Sequence, residues 1–351
     1  MTLTKLAAPS FALLVLGAGS AMARENLQVA GSSTVLPYAA IVAELFSENF
    51  DFRTPVVEGG GSGAGRKKLC AGLGEDTIDI ANSSSRIKQS DIDTCHENGV
   101  SEIMEVRIGY DGIVFATKKD AADFALTPVD LYLALGDQVA KDGALVPNTV
   151  ARWSDVNASL PAQDILAFIP GTKHGTREVF DTKVMLPGCK ETGAYDLFLA
   201  AATGADEEAK KKAAETACFT TRTDGASVDI DGDYPETLAR LEANPTAVGV
   251  FGLSFYENNM DKLKVAPMSG VMPSVETIAS GDYPVSRPLF FYVKKQHIGV
   301  IPGLKDYVQF FVSDEVAGPN GPLSDYGLVP DPKLSETQAA VAAEVVMGPL
   351  E

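Results

Sequence analysis

Histidine and cysteine are scarce in this sequence, which has 3 histidines and 4 cysteines in 351 residues. No C-x-x-C spacing occurs, and His96, His174 and His297 stand in unrelated contexts, so a zinc site has little support. The motifs H-E-x-x-H and G-x-S-x-G are also absent, which removes two common arrangements for hydrolysis. We therefore expect no enzymatic activity, no catalytic residues, no metal and no cofactor. A secreted phosphatase is the enzyme alternative.

Basic residues are outnumbered. The chain has 29 Lys and Arg against 47 Asp and Glu, a formal net charge of −18. Proteins that bind nucleic acid are usually basic, so we expect no nucleic-acid partner. The charge does not argue against a small buried anion, because such a ligand responds to nearby hydrogen-bond donors more than to distant, screened charge.

Long apolar stretches are missing after the N-terminus, so no transmembrane helix is predicted there. Residues 1–23 have the pattern of a signal peptide: Lys5 precedes an apolar segment at 11–16, and residues 21–23 form an A-x-A cleavage site. We expect cleavage before Arg24 and export to the periplasm. No cysteine follows the cleavage site, so we do not expect a lipoprotein.

The sequence does contain a repeated pattern of strand, polar turn and helix. The segments that fit it are "NLQVAGSSTVLPYAAIVAELF", "TPVVEGGGSGAGRKKLCAGL", "TIDIANSSSRIKQSDIDTC" and "DILAFIPGTKHGTREVFDTKVM". This repetition predicts an α/β fold in which mostly parallel sheets are flanked by helices. Ligands of such sheets bind outside the carboxyl ends of the strands, where the polar turns lie.

The remaining segments extend this alternation. Helices are predicted in "TPVDLYLAL", in "GADEEAKKKAAETACF" and in "GLKDYVQFFVSDEV". Strands are predicted in "EIMEVRIGYDGIVFATKK", "PTAVGVFGLSFY", "KLKVAPM" and "YPVSRPLFFYVKK".

The mature chain is too long for one simple core and suits two lobes. We assign residues 24–106 and 268–351 to lobe 1 and residues 107–267 to lobe 2. The even number of cysteines in an exported chain indicates two disulfides, for which the sequence allows three connectivities. The pairs Cys70–Cys95 and Cys189–Cys218 are favoured, because each then falls within one lobe.

The glycine-rich turn "VEGGGSGAGRKKL" has three interpretations. It is a solvated turn, a nucleotide site or an anion site. Gly59, Gly61 and Ala64 fit the dinucleotide pattern, with Asp79 as the acidic residue about twenty positions on. A P-loop is disfavoured, because no Ser or Thr follows the lysines to hold magnesium.

Repetition favours the anion site. Four turns offer backbone N–H groups at a helix start together with hydroxyl or cationic donors. They contain Ser32, Ser33 and Thr34; Ser62; Ser84, Ser85 and Arg86; and His174, Gly175, Thr176 and Arg177. N-capping is the structural alternative for each turn taken alone.

The motifs "VAGSSTVLPYAAIVAELF", "VEGGGSGAGRKKL", "IDIANSSSRI", "GTKHGTREVF", "AVGVFGLSFY" and "YPVSRPLFFYVKK" resemble, in order and spacing, the phosphate-binding proteins of high-affinity phosphate ABC transporters. The resemblance implies a two-lobed type II periplasmic-binding-protein fold that closes on phosphate, acts as a monomer and delivers its ligand to a membrane permease. It implies phosphate contacts from Thr34 and the backbone N–H of Val35, from Ser62, and from Gly175 and Thr176.

Two positions depart from the family pattern. Ser84 stands where the family often has an aspartate that accepts a proton from phosphate. In the fourth turn, Pro170 and His174 replace a common arginine and serine, and Arg177 and Arg86 are the candidate replacement cations. The choice between phosphate and sulphate, molybdate or a phosphonate therefore stays open.

Three further charged residues are interpreted from their contexts. Asp111, in "GYDG", is interpreted as a structural turn aspartate rather than a ligand contact, although it is also a candidate proton acceptor. Arg287 is predicted to form a structural pair between the lobes. Lys173 is either a ligand donor or surface charge.

Overall fold

The computed structural model describes residues 24–74, 76–172, 176–231, 234–348 and 350. The predicted signal peptide at residues 1–23 lies outside the described residues. The strands are β1 Gln28–Gly31, β2 Val56–Glu58, β3 Ile80–Ser83, β4 Ile103–Lys118, β5 Gln138–Lys141, β6 Ala144–Pro147, β7 Ala167–Pro170, β8 Ser227–Ile230, β9 Val248–Gly252, β10 Leu263–Val265 and β11 Ser286–Lys294.

Helices connect most of these strands. They are α1 Leu36–Asn49, α2 Ser62–Leu69, α3 Gln89–Glu97, α4 Pro128–Leu135, α5 Trp153–Val156, α6 Arg177–Phe180, α7 Leu186–Glu191, α8 Ala194–Ala201, α9 Glu207–Phe219, α10 Tyr234–Ala243, α11 Leu253–Glu257, α12 Val275–Ser280, α13 Leu304–Phe311, α14 Asp314–Ala317, α15 Pro322–Asp325 and α16 Leu334–Ala342. A π-helical turn, Asp181–Met185, joins α6 to α7, and a 3₁₀ turn, Lys295–His297, follows β11.

The mixed α/β architecture confirms the fold class. Strand β1 pairs in parallel with β2 and β3, and β7 pairs in parallel with β8 and β9. The first set consists of three predicted strand–turn–helix units and β7 belongs to the fourth, whereas β8 was not predicted. Helix α1 shows the physical reason, because Tyr38, Val42 and Phe46 repeat every four residues and are buried on one face.

Strands β4 and β11 connect the two parallel sets. They pair antiparallel with each other, β11 also pairs with β3, and the second half of β4 pairs with β9 and β10. The strand order is β2-β1-β3-β11-β4-β9-β7-β8, with β10 on β4. The first part of β4 thus reaches one parallel set through β11, and the last part pairs directly with β9 of the other set.

The hydrophobic core is divided in the same way. One cluster of buried side chains includes Trp153, Phe180 and Phe251, while two others are centred on Phe46 and on Tyr292. We refer to the β1–β3 side as lobe 1 and to the β7–β9 side as lobe 2. Ile278 and Tyr283 pack in the lobe 2 cluster, and the boundary at residue 268 stays a prediction.

Both predicted disulfides are confirmed. Cys70 is bonded to Cys95, which links the end of α2 to α3, and Cys189 is bonded to Cys218, which links α7 to α9. Each bridge joins two helices of the same lobe.

One strand prediction extends too far. The segment "PTAVGVFGLSFY" forms strand β9 only as far as Gly252, and Leu253–Glu257 is helical. Gly252 is extended, and the Ser254 hydroxyl donates to Leu328 O at 3.1 Å, a tertiary contact that the local pattern does not contain. The predicted helix before Cys218 is confirmed as Glu207–Phe219.

The dinucleotide interpretation fails at its acidic residue. Asp79 is fully buried; it accepts hydrogen bonds from Arg24 Nη2 at 2.5 Å and Gln28 N at 2.8 Å, and lies 2.7 Å from His297 Nδ1. These contacts engage both carboxylate oxygens inside lobe 1, so the side chain cannot reach a ribose. Within the part of the chain that the structure describes, no helix is long and apolar enough to cross a membrane, and no cluster of three metal-ligating side chains occurs.

Candidate functional site

The first polar turn follows β1 and leads into α1. Ser32 Oγ accepts from the backbone N–H groups of Thr34 and Val35 at 3.2 and 3.4 Å, so the turn partly satisfies its own donors. Thr34 is buried and its hydroxyl faces the opposite lobe, where it contacts Glu178. Ser33 and Thr34 line a common cavity with residues of lobe 2.

The glycine-rich turn owes its composition to backbone conformation and close packing. Gly60 and Gly61 have φ angles of 129° and 91°, a region that side chains rarely adopt. A Cβ atom on Gly65 would lie 2.6 Å from the Gly31 Cα, so only glycine lets α2 approach β1 this closely. The turn thereby places Ser62 at the start of α2, beside the third turn.

The second and third turns meet through their serines. Ser62 Oγ accepts from the backbone N–H of Ser84 at 3.0 Å and lies 3.1 Å from Ser84 Oγ. Arg66 Nη1 donates to Ser83 Oγ at 2.8 Å and to Ser85 Oγ at 3.3 Å. The structure thus brings together Ser62, Ser84 and Ser85, as the sequence predicts for a shared site.

The two cations chosen from the sequence are engaged elsewhere. Arg86 has a side chain that is 59% exposed and pairs with Glu105 at the rim of the cleft. Arg177 donates from Nε to Asp181 at 2.8 Å and from Nη1 to Asp229 at 3.1 Å, and its Nη2 lies 3.4 Å from Phe219 O. These bonds direct the Arg177 guanidinium into lobe 2, and its assignment as a ligand donor stays a prediction without support from this geometry.

The fourth turn is described only in part. Lys173, His174 and Gly175 lie outside the described residues. Thr176 is buried and lines a small enclosed cavity together with Thr34, Asp111 and three tyrosines, Tyr38, Tyr234 and Tyr326. Thr34 and Thr176, which come from opposite lobes, therefore border the same space.

Asp111 is not a turn residue. It lies inside β4, directly opposite Arg287 of β11 in the antiparallel register, and its Oδ2 is 3.9 Å from Arg287 Nη2. The Asp111 side chain is buried, and the Arg287 side chain is 10% exposed. Among the described residues, neither Asp111 Oδ2 nor Arg287 Nε has a hydrogen-bond partner. A buried acceptor and a buried donor without partners are expected where a ligand or water binds.

Arg287 also connects the lobes. Its Nη2 donates to Thr34 Oγ1 of lobe 1 at 2.7 Å and to Glu178 Oε2 of lobe 2 at 3.2 Å. The predicted pairing of Arg287 across the lobes is thus confirmed. Its position beside Thr34 was missed as a site feature, because the motif around it, "SRPLF", carries no signal of ligand chemistry.

The Asp111 carboxyl changes its protonation state at a pH higher than is usual for an aspartate. Burial raises the pKa of the Asp111 carboxyl to about 6, Arg287 opposes this shift and Glu178 adds to it. The carboxyl is therefore mainly ionised at neutral pH, and Oδ2 acts as an acceptor. Perturbed carboxyl groups of this kind are concentrated at functional sites.

Two larger cavities lie in the cleft: Arg287 lines one of them, and its contact residue Thr34 lines the other. One, of ≈ 460 Å³, lies between the first turn and α6; the other, of ≈ 570 Å³, is bordered by Ser62, Ser84, Lys183 and Arg287. A separate cavity of ≈ 500 Å³ is lined by the carboxylates Glu257, Glu276, Asp314 and Asp325, a lining that suits no anion. The hydroxyl-rich cleft between the lobes is therefore the candidate anion site.

Two α/β lobes joined through adjacent strands, with polar turns facing each other across a cleft, define the class of binding proteins with the type II periplasmic-binding fold. A sequence profile of the PBP superfamily domain matches residues 16–315. The chain belongs to that superfamily, which consists of binding proteins.

Similar proteins cover most of the chain. It is 28% identical to protein SphX of Synechococcus elongatus, over 88% of this chain and 78% of that protein. It is 28% identical to the phosphate-binding protein PstS of Staphylococcus haemolyticus, over 81% of this chain and 76% of that protein. The crystal structure of a possible phosphate-binding protein from Planctomyces limnophilus has the same fold, with a TM-score of 0.67, 24% identity, and coverage of 91% of this chain and 98% of that one.

Proposed function

We propose that this protein captures inorganic phosphate in the cleft between its lobes and delivers it to the permease of an ABC transporter. The observation that carries the proposal is the buried Asp111 Oδ2 beside the Arg287 guanidinium, an oxygen that accepts no hydrogen bond from any residue that the structure describes. The similarity to proteins named phosphate-binding protein PstS supports the same ligand.

The argument for phosphate rests on proton donation. Phosphate near neutral pH carries one or two protons, whereas sulphate carries none, so a site with a fixed acceptor favours phosphate. Asp111 supplies that acceptor. The sequence left the identity of the acceptor open, because Ser84 stands where the family often has an aspartate. Arg287 supplies the charge-assisted donor that recognises an oxyanion.

The hydroxyl groups of the turns complete the proposed site. Thr34 and Thr176 approach the ligand from opposite lobes, and Ser62, Ser84 and Ser85 border the adjoining cavity. Ser33, Val35, Arg86, His174, Gly175 and Arg177 remain predicted contacts.

Titration calorimetry with phosphate, sulphate, molybdate and a phosphonate tests the ligand. We expect phosphate to bind tightest, with sulphate weaker by about a hundredfold or more, the discrimination that an unpaired buried acceptor provides. Displacement of phosphate by sulphate at equal concentration would overturn the choice of ligand. Turnover of a phosphate monoester by the same preparation would favour the phosphatase alternative.

Export and delivery belong to the same proposal. We propose that the chain is secreted to the periplasm by a cleaved signal peptide, without a lipid anchor, and works there as a monomer. N-terminal sequencing of the exported protein is expected to begin at Arg24, and light scattering is expected to give the mass of one chain.

A further inference from the structure

A carboxylate of the protein contacts the donors of the proposed phosphate site. Glu178, the second residue of α6, accepts from Thr34 Oγ1 at 2.6 Å and from Arg287 Nη2 at 3.2 Å, both through Oε2. Arg287 Nη2 in turn lies 2.7 Å from Thr34 Oγ1. The Thr34 hydroxyl and one edge of the Arg287 guanidinium are therefore already engaged by an anionic group.

The contact joins the two lobes. Thr34 follows β1 in lobe 1, whereas Glu178 lies in the first turn of α6 in lobe 2. Glu178 borders both the ≈ 460 Å³ and the ≈ 570 Å³ cavity of the cleft, so its side chain stands between them. It thereby occupies the middle of the cleft.

The enclosed space beside Asp111 is too small for phosphate. The enclosed cavity that Asp111, Thr34 and Thr176 line has a volume of ≈ 10 Å³, which is about the room needed by one water molecule. A tetrahedral oxyanion that contacts both Asp111 and Arg287 therefore requires neighbouring groups to move. Glu178 is the group that shares its donors and lies beside the open cavities.

The charge of Glu178 also opposes phosphate binding. Partial burial opposes ionisation of Glu178, but Arg287 and the Thr34 hydroxyl outweigh it and lower the pKa of this carboxyl. Glu178 is thus an anion at neutral pH, and phosphate bound to Arg287 would lie against a like charge. Like charges in a partly desolvated cleft repel strongly, so the two anions cannot share these donors.

We propose that Glu178 is a tethered competitor of the ligand: in the empty protein its carboxylate holds Thr34 and Arg287 and links the lobes, and inorganic phosphate must displace it. This inference rests on the proposed function. It follows that the protein binds phosphate less tightly than its donor set allows, because part of the binding free energy is used to break the Glu178 contacts. Removing the competitor should tighten binding.

The test compares phosphate affinity in the full-length mature protein and in three variants by titration calorimetry. Glu178→Gln removes the charge, and Glu178→Asp keeps the charge but shortens the side chain. Glu236→Gln is the matched control, because the Glu236 side chain is 46% exposed against 48% for Glu178 and forms an ion pair with Arg240 on the surface of α10. Thermal melting checks that each variant is folded.

We expect both Glu178 variants to bind phosphate more tightly than the wild type, on the order of tenfold, a typical coupling between two states. Glu236→Gln should bind as the wild type does. In the absence of ligand, small-angle scattering should give a larger radius of gyration for Glu178→Gln than for the wild type, since a contact between the lobes is lost.

The outcomes separate the inference from the proposed function. The competitor role would be overturned if the wild type binds phosphate and Glu178→Gln binds it equally or less tightly. Glu178 would then be a ligand contact or have no part in binding. Wild-type protein that binds no phosphate would overturn the proposed function and the competition together. If Glu178→Gln does not fold, Glu178→Asp decides, because the shorter side chain cannot keep both contacts.

Discussion

Asp111 and Arg287 are opposite each other on adjacent antiparallel strands, with the Asp111 Oδ2 atom 3.9 Å from the Arg287 Nη2 atom. The separation is longer than a hydrogen bond, and each residue keeps one buried polar atom without a partner among the described residues. A protonated oxyanion can donate to Asp111 and accept from Arg287 at once. The pair therefore combines the acceptor and the donor that phosphate requires.

Replacing Asp111 by asparagine tests the acceptor. Asp111→Asn presents either an amide oxygen or an N–H group to the ligand, and it removes the charge that repels sulphate. We expect phosphate affinity to fall by about tenfold or more and sulphate affinity to rise, so that the preference for phosphate shrinks. Competition calorimetry measures both. Asp93→Asn, on the exposed face of α3, is the control, and an unchanged preference in Asp111→Asn would remove Asp111 from the site.

Substitutions of Arg287 and Arg177 should affect different properties: the first phosphate affinity, the second the free energy of unfolding. Arg287→Ala removes the cation beside Thr34 and is expected to weaken phosphate binding by at least about a hundredfold, because a charge-assisted contact inside a cleft is hard to replace. Arg177→Ala instead breaks the ion pairs with Asp181 and Asp229. We expect it to lower the free energy of unfolding by about 3 kcal/mol, with a smaller effect on affinity.

Urea denaturation measures the stability of both arginine variants, and calorimetry measures their phosphate affinity. The contrary result is a loss of binding in Arg177→Ala with normal stability. That result would return Arg177 to the ligand set.

The two disulfides should differ in their effect on binding. Cys70–Cys95 holds α2, which begins at Ser62 in the cleft, whereas Cys189–Cys218 joins α7 to α9, neither of which begins at one of the polar turns. Removing either by paired Cys→Ala substitution should lower the free energy of unfolding by about 3 kcal/mol. Phosphate affinity should fall only without the first bridge. Equal affinities in the two folded variants would contradict this link between α2 and the site.

The local parts of the structure were predictable from the sequence. Each strand–turn–helix unit is encoded within about twenty residues by its apolar spacing and its polar turn. The disulfide pairing was predictable because each pair of cysteines falls within one lobe. Ser62 and Ser84 could be placed together because turns at the carboxyl ends of parallel strands share one edge.

The Asp111–Arg287 pair depends on tertiary structure that local patterns do not contain. Gly109 and Gly112 around Asp111 look like turn residues, but a Cβ on Gly109 would lie 2.6 Å from Val329 O. Glycine at these positions lets Leu328 and Val329 and the Ile278 side chain pack closely against β4, which continues through Asp111. The sequence pattern that could have indicated a buried site residue was an aspartate between glycines in a long β-rich segment.

The fourth turn shows a second limit of prediction from the sequence. Arg177 was preferred because it adjoins the Gly-Thr motif, but consecutive helix residues point about 100° apart. Arg177 consequently points into lobe 2, while its neighbour Glu178 faces the cleft. Proximity in sequence does not fix direction on a helix.

The pH dependence of binding should have opposite signs for the two anions. Since burial raises the pKa of Asp111 to about 6, the carboxylate is ionised above that pH and takes up a proton below it. Phosphate needs the ionised acceptor, so its affinity should be nearly level from about pH 8 to 6 and should fall below about pH 6. Sulphate is repelled by the ionised form and accepts a hydrogen bond from the neutral form. Its affinity should therefore rise as the pH falls from about 8 to 6 and then level off.

Two variants assign this titration to a residue. In Asp111→Asn the sulphate profile should become flat, because no carboxyl remains to take up the proton. In His174→Ala both profiles should persist, although an unperturbed histidine would titrate at a similar pH, about 6.5. Calorimetry with phosphate and with sulphate at matched ionic strength supplies the profiles. A pH dependence that survives in Asp111→Asn and disappears in His174→Ala would transfer the acceptor role from the buried strand to the fourth turn.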